Sequence, residues 1–284
     1  MLRLFQFLSK WPLLALHFLG FILGWLAFLA SPTYSKRLWK HARSATASPW
    51  QTLASIGQTG AMMLEIPRMW MGKEVAVSWQ GEQTILDAYA AGKGVIFLTP
   101  HFGCFEIIGK SWASKFSGQF SDFTVLFRPS RKKWMADIVS NSRNRPGLVA
   151  VPTNGSGVRQ LLKALKQGRA IGLLPDQVPP DGQGVWVPFF GQNAYTMTLA
   201  ARLAQQTGAT VLMGWGERLS WGRGYLIHIE KLPVAATQGK GVLSDDLTLA
   251  CTQMNQAMET LILQNPSQYL WGYGRYKQPR SSTE

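Results

Sequence analysis

The chain has 284 residues, enough to bury one sizeable core, so one domain with an appendage is the economical expectation. It carries 29 Lys+Arg against 15 Asp+Glu, formally +14, which calls for an anionic partner: a nucleic acid, a phospholipid surface, a phosphorylated substrate or an acidic carrier protein. Cys104 and Cys251 lie far apart with no spacing motif, which argues against a disulfide scaffold and a zinc site.

From Trp11 to Ala30 the chain reads WPLLALHFLGFILGWLAFLA, with no formal charge and His17 as its titratable group. As a helix it is long enough to cross a hydrocarbon core. A signal peptide would have a shorter apolar region and a small-residue cleavage site. Here the segment runs instead into SPTYSKRLWKHAR, an aromatic and basic flank suited to a membrane interface. Lys36, Arg37, Lys40 and Arg43 follow the span and Arg3 and Lys10 precede it, so the positive-inside bias keeps the bulk of the protein cytoplasmic. No acidic residue precedes Glu65, and attachment to an anionic leaflet follows. Residues 1–45 are thus expected as a membrane anchor and basic interface segment, with His17 a tolerated or snorkelling side chain. A transmembrane and an interfacial helix look alike at this level.

A helix is expected over roughly Pro49 to Trp70. Short apolar runs then alternate with amphipathic stretches. The runs at 94–100, 123–129, 148–152, 170–176, 209–215 and 225–230 are short and rich in β-branched or aromatic residues, and predict strands. The stretches 105–116, 132–141, 158–167 and 198–207 have helical spacing, with Gly168 and Gly208 where C-caps belong. A final helix is predicted over 245–264, with Leu247, Cys251, Met254, Met258 and Leu261 as its buried stripe. The expected fold is α/β, a mixed, mostly parallel sheet flanked by helices, with the last two strands joined as a hairpin through SWGRG.

The sharpest local feature is TPHFGCFEIIG, residues 99–109. His101 follows an apolar strand and Glu106 comes five residues later. Five residues on a continuous helix turn through about 500°, and on a strand they fall on opposite faces. The pair can meet only if His101 sits in the loop and Glu106 in the first turn of the next helix, at the strand end where α/β folds place reactive groups. A carboxylate there can hold the imidazole tautomer and stabilise the imidazolium once His101 takes a proton. A His and a Glu that merely cap the junction would read the same way. Cys104 lies in the same loop, but its apolar neighbours favour a packed side chain over a nucleophile.

PHFGCFE resembles the H-x4-D/E motif of the glycerolipid and lysophospholipid acyltransferases. The chain as a whole resembles the late acyltransferases of lipid A biosynthesis in Gram-negative bacteria. The supporting blocks are FRPSRKKWMADIVSNSR, NGSGVRQLLKALKQG, IGLLPDQVPPDGQGVWVPFFGQNAYTMT, LARLAQQTGATVL and MNQAMETLILQNPSQYLWGYGRYK, in the family's order over nearly the whole chain. The terminal block departs from the family's usual W-x-H-R-R-F-K: Tyr273 stands for the His and Gly274 for an Arg.

The resemblance makes 46–284 an acyltransferase domain at the bacterial inner membrane. It implies acyl transfer from an acyl carrier protein thioester to a hydroxyl of a phosphorylated lipid A precursor, with no cofactor or metal. His101 would be the general base and Glu106 its orienting partner, with no enzyme nucleophile. Arg128 is the first candidate for charge stabilisation or phosphate binding, with the backbone near Gly103 as the alternative oxyanion donor. Asp176, at the end of AIGLLPD, would orient a basic side chain or the acceptor, or cap a turn. Gly155-Ser-Gly157 opens a helix through Arg159 and offers an anion site. Arg131, with Lys132 and Lys133, would meet phosphates, the acidic carrier, or water. Trp186, Phe189 and Phe190 would line an acyl channel or fill scaffold. A lysophospholipid or amino-acid lipid as acceptor, and a non-catalytic relative, remain as alternatives. A nucleic-acid binder is set aside, because no recognised module accompanies the charge and the chain opens with an apolar span.

Overall fold

A computed structural model describes residues 2–45, 47–127, 146–239 and 241–281. Four helices come first: α1 (Leu2–Leu8), α2 (Leu13–Ala30), α3 (Pro32–Ser44) and α4 (Pro49–Met71). Ser31 and Ser48 cap α3 and α4 just ahead of a proline, and Ser48 and Gln51 form a reciprocal capping box. There follow β1 (Val77–Gln80), α5 (Glu82–Ala90), β2 (Val95–Leu98), α6 (Ile107–Phe116), β3 (Phe123–Phe127), β4 (Leu148–Pro152), α7 (Gly155–Lys166) and β5 (Ala170–Leu173). The chain continues through β6 (Gly184–Phe189), β7 (Gln192–Met197), α8 (Leu199–Thr207), β8 (Thr210–Arg218), β9 (Tyr225–Lys231) and α9 (Leu247–Ile262).

The main sheet has the order β1-β9-β8-β2-β5-β3-β4. It is parallel except where β8 and β9 pair as the expected hairpin. β2 and β5 are buried at every residue because both faces of the sheet are covered. Alternation divides β2 between two cores. Ile96 and Leu98 pack with side chains of α7, α8 and α9, while Val95 and Phe97 pack with those of α5 and α6. The stripe on α9 is as anticipated at Cys251, Met254, Met258 and Leu261, with Leu247 only half-buried. Gly208 ends α8 at φ +65°, and Gly168 follows α7 at φ +73°. The helix expected over 132–141 lies outside the described residues.

Two parts of the fold escape the sequence pattern. One is β1 with α5, a four-residue strand and a short helix at the sheet's edge. The other is a separate β6–β7 hairpin, which carries Trp186, Phe189 and Phe190. Its two-residue turn holds Phe190 and Gly191 at φ +46° and +72°. Phenylalanine is a poor residue for a positive φ. Its N–H is held by Glu259 Oε1 at 2.6 Å, which fixes the turn to α9.

The N-terminal helices are not set apart from the rest. Leu38 and Ala42 of α3 are fully buried in the core that contains β2. α2 is the one helix among the described residues long and apolar enough to cross a membrane. One face of it packs on α4, through Leu16, Gly20 and Gly24, while Phe18, Ile22, Leu26 and Leu29 stay exposed. His17 turns inward, its Nε2 at 3.1 Å from Glu65 Oε2 on α4, and is neither idle nor snorkelling. The two helices touch at backbone distance: a Cβ on Gly60 would meet Gly20 O at 1.9 Å. Gly60→Leu must therefore splay the pair, at a cost of about 1–3 kcal/mol. A melt in detergent is expected to fall by about 5 °C; an unchanged melting temperature would show that α2 does not seat on α4.

Candidate active site

β2 and β5 are adjacent and parallel, with Leu98 opposite Leu173. His101 and Asp176 each lie three residues beyond that pair, at the carboxyl end of the sheet. Equal offsets past a parallel register bring the two side chains together. Asp176 Oδ1 accepts from His101 Nδ1 at 2.8 Å, and its Oδ2 accepts from the His101 backbone N–H at 2.9 Å. Tyr269 Oη donates to the same Oδ2 at 3.2 Å. Burial pushes the Asp176 carboxyl up, but the facing His101, its two bonds and then the nearby Arg275 outweigh it and hold the carboxyl below the usual range.

With Nδ1–H committed to Asp176, Nε2 carries the lone pair, and the Gln177 amide donates to it at 3.1 Å. Both ring nitrogens thus have partners. The carboxylate bonded to the ring is Asp176; the sequence reading names Glu106 as the orienting partner. Glu106 is half-buried at the start of α6, as its place in the motif foretold. The link between His101 and Asp176 spans 75 residues and depends on strand order, which no local spacing reveals.

Gly103 N–H donates to Gln268 O at 3.0 Å and Cys104 N–H to Gly216 O at 2.7 Å, so these two loop donors are engaged in the fold. Cys104 is buried, and burial first, then the neighbouring Glu65, pushes its thiol well up, so it stays protonated and packed.

Arg128 and Arg131 lie outside the described residues. Arg159 is exposed on α7, which follows β4, three strand spacings or roughly 14 Å from β2. The N-terminus of α7 is in part self-capped, since Asn154 Oδ1 accepts from Ser156 and Gly157 N–H. Of the aromatic trio, Phe189 is buried, Phe190 half-buried and Trp186 exposed.

The terminal block, by contrast, closes over the site. Leu270 N–H donates to His101 O at 3.2 Å. Tyr273 Oη accepts from Val178 N–H at 3.0 Å and so positions the residue after Gln177. Arg275 is buried, donating to Tyr195 O and Thr196 Oγ1 at 2.7 Å each. α3 holds the same block from behind, His41 Nδ1 donating to Trp271 O at 3.0 Å. The sequence reading marks Tyr273 only as a departure from the family's pattern and assigns no role to Gln177, Tyr269 or Arg275, whose signal lies in the PDQ and terminal blocks.

Residues 50–278 match the profile of the bacterial lipid A biosynthesis acyltransferases. The lipid A biosynthesis palmitoleoyltransferase of Escherichia coli K12 is 25% identical over 223 residues, 77% of this chain and 68% of its own. The lauroyltransferase of the same organism is 25% identical over 227 residues, 78% of this chain and 69% of its own. The myristoyltransferase is 25% identical over 222 residues, covering 78% and 65%. Three different acyl groups are named at one level of identity, so similarity does not select among them.

Proposed function

The chain belongs to the bacterial lipid A biosynthesis acyltransferase family, and on that premise we propose that it moves a fatty acyl chain from an acyl carrier protein thioester to a hydroxyl of a phosphorylated lipid A precursor. The observation that carries the reading is His101, held at Nδ1 by a buried carboxylate with its other nitrogen turned to an amide. The acceptor hydroxyl replaces the Gln177 amide at Nε2 and gives up its proton there as its oxygen attacks the thioester carbonyl. A tetrahedral oxyanion forms. Its collapse breaks the C–S bond, and the departing thiolate takes the proton from the imidazolium. Asp176 holds the tautomer and offsets the ring's positive charge. Glu106, which follows the Phe105 ring packed on His101, adds a second negative charge at the start of α6. Arg128 and Arg131 bind phosphate or the oxyanion, and Arg159 contributes to phosphate or carrier binding from the rim.

The exposed apolar face of α2, and the basic residues Lys36, Arg37, Lys40 and Arg43 beyond it, support attachment to an anionic leaflet of the inner membrane, with the catalytic domain on the cytoplasmic side. The test is mass spectrometry of products after incubating the purified protein with acyl carrier protein thioesters and a tetra-acylated lipid A precursor. One added acyl mass is expected. A folded protein that acylates lysolipids and leaves the precursor untouched would overturn the acceptor. One that acylates neither would be a non-catalytic relative.

A further inference from the structure

The loop that carries His101 is held from behind by a buried ion pair that the chemistry above does not use. Gly103 has φ +58°, and a Cβ there would meet Gly216 O at 2.0 Å, so the loop is pressed onto β8. The Gly103 carbonyl accepts from Arg218 Nη2 at 3.3 Å. The same guanidinium donates through Nε and Nη2 to Glu65 Oε2 and Oε1 at 2.8 and 2.6 Å, and through Nη1 to Gln58 Oε1 at 2.8 Å. Gln268, whose carbonyl takes the Gly103 N–H, exchanges two further bonds with the Arg218 backbone, at 2.9 and 3.0 Å. Glu65 Oε2 also accepts from Tyr225 Oη at 2.8 Å and faces His17 Nε2 on α2. Contacts therefore run without a break from the apolar N-terminal helix to the reactive loop.

We propose that Arg218, Glu65 and His17 form a positioning unit for the acyl-transfer site, fixing the His101 loop through the Gly103 carbonyl and tying it to the seating of α2. The inference rests on the acyl-transfer reading above. A buried ion pair adds little stability over an apolar pair of similar volume, so packing alone does not account for it. What an apolar pair lacks is a donor for the Gly103 carbonyl. The pair also stays charged at neutral pH. Burial pushes the Glu65 carboxyl up, but Arg218 and then His17 bring it down to about 2.

The test compares the full-length protein with Glu65→Gln/Arg218→Met, which removes both charges together, and with Arg218→Lys, which keeps the charge and loses the fork. The double variant is expected to melt near the wild type, lose kcat roughly 10- to 100-fold with KM for the acceptor unchanged, and exchange amide hydrogens faster across residues 101–106. Arg218→Lys should recover part of both losses, and His17→Leu should show a smaller change in the same direction. Wild-type kcat and exchange in a folded double variant would overturn the proposal, as would a loss of activity that only tracks the melting temperature. Wild-type kcat and exchange in His17→Leu would remove α2 from the unit. If the wild type transfers no acyl group, the functional reading fails, and the exchange rates still decide whether the pair positions the loop.

Discussion

His101→Ala is expected to remove acyl transfer while leaving expression and membrane association intact. The ring is the one group in the described site with a nitrogen lone pair held ready by a committed tautomer. A positioned general base contributes about 10²- to 10⁴-fold, and here the same group must return the proton to the leaving thiolate, so a loss near the upper end is expected. The imidazole is largely buried and its loss leaves Asp176 without its facing partner, yet Tyr269 and the backbone N–H of residue 101 still satisfy that carboxylate. Glu106→Ala should abolish transfer as well, with the ring still held by Asp176. The measurement is acyl transfer by mass spectrometry beside a thermal melt. Full activity in His101→Ala would sink the base, and full activity in Glu106→Ala would sink the pair.

Asp176→Asn should cost kcat about 10²- to 10⁴-fold with little change in KM. An amide in place of the carboxylate can present its NH2 to the ring and favour the tautomer whose Nε2 bears the proton, which cannot act as a base. The same substitution has a signature in stability. The native Asp176 carboxyl titrates below its unfolded value, so its contribution is complete above the unfolded value of about 3.9 and is lost as pH falls through the lower native value. Melting temperatures of wild type and variant, followed from pH 7 to pH 3, should therefore differ by a constant amount down to about pH 4 and converge below it. A difference independent of pH over that range would mean that the Asp176 carboxylate is not held by His101 as described. Wild-type kcat in a folded Asp176→Asn protein would return the orienting role to Glu106.

Much of the fold was legible from local pattern. Strands such as Leu148–Pro152 and the helix Leu199–Thr207 with its Gly208 cap stand where periodicity and cap chemistry put them, because those signals act within a few residues. The β6–β7 hairpin was not legible. Pro188 inside a strand and a Phe-Gly turn both contradict the usual signals, and distant groups such as Glu259 on α9 hold that turn. The inward turn of His17 is hidden for a related reason: an apolar helix says nothing of which face meets a partner, and Glu65 lies 48 residues on.

The sequence by itself determined the candidate histidine, the strand–loop–helix junction that carries it, the apolar helix at the N-terminus and the family. Each is a local property of residue type and spacing. Only the tertiary structure decided which carboxylate the histidine faces and what holds its loop. His101 meets Asp176 because β2 and β5 pair in register, and it meets the terminal block because Leu270 and Gln268 fold back over the loop. Such partners are chosen by how strands are ordered and layers packed, a nonlocal outcome that no spacing along the chain encodes.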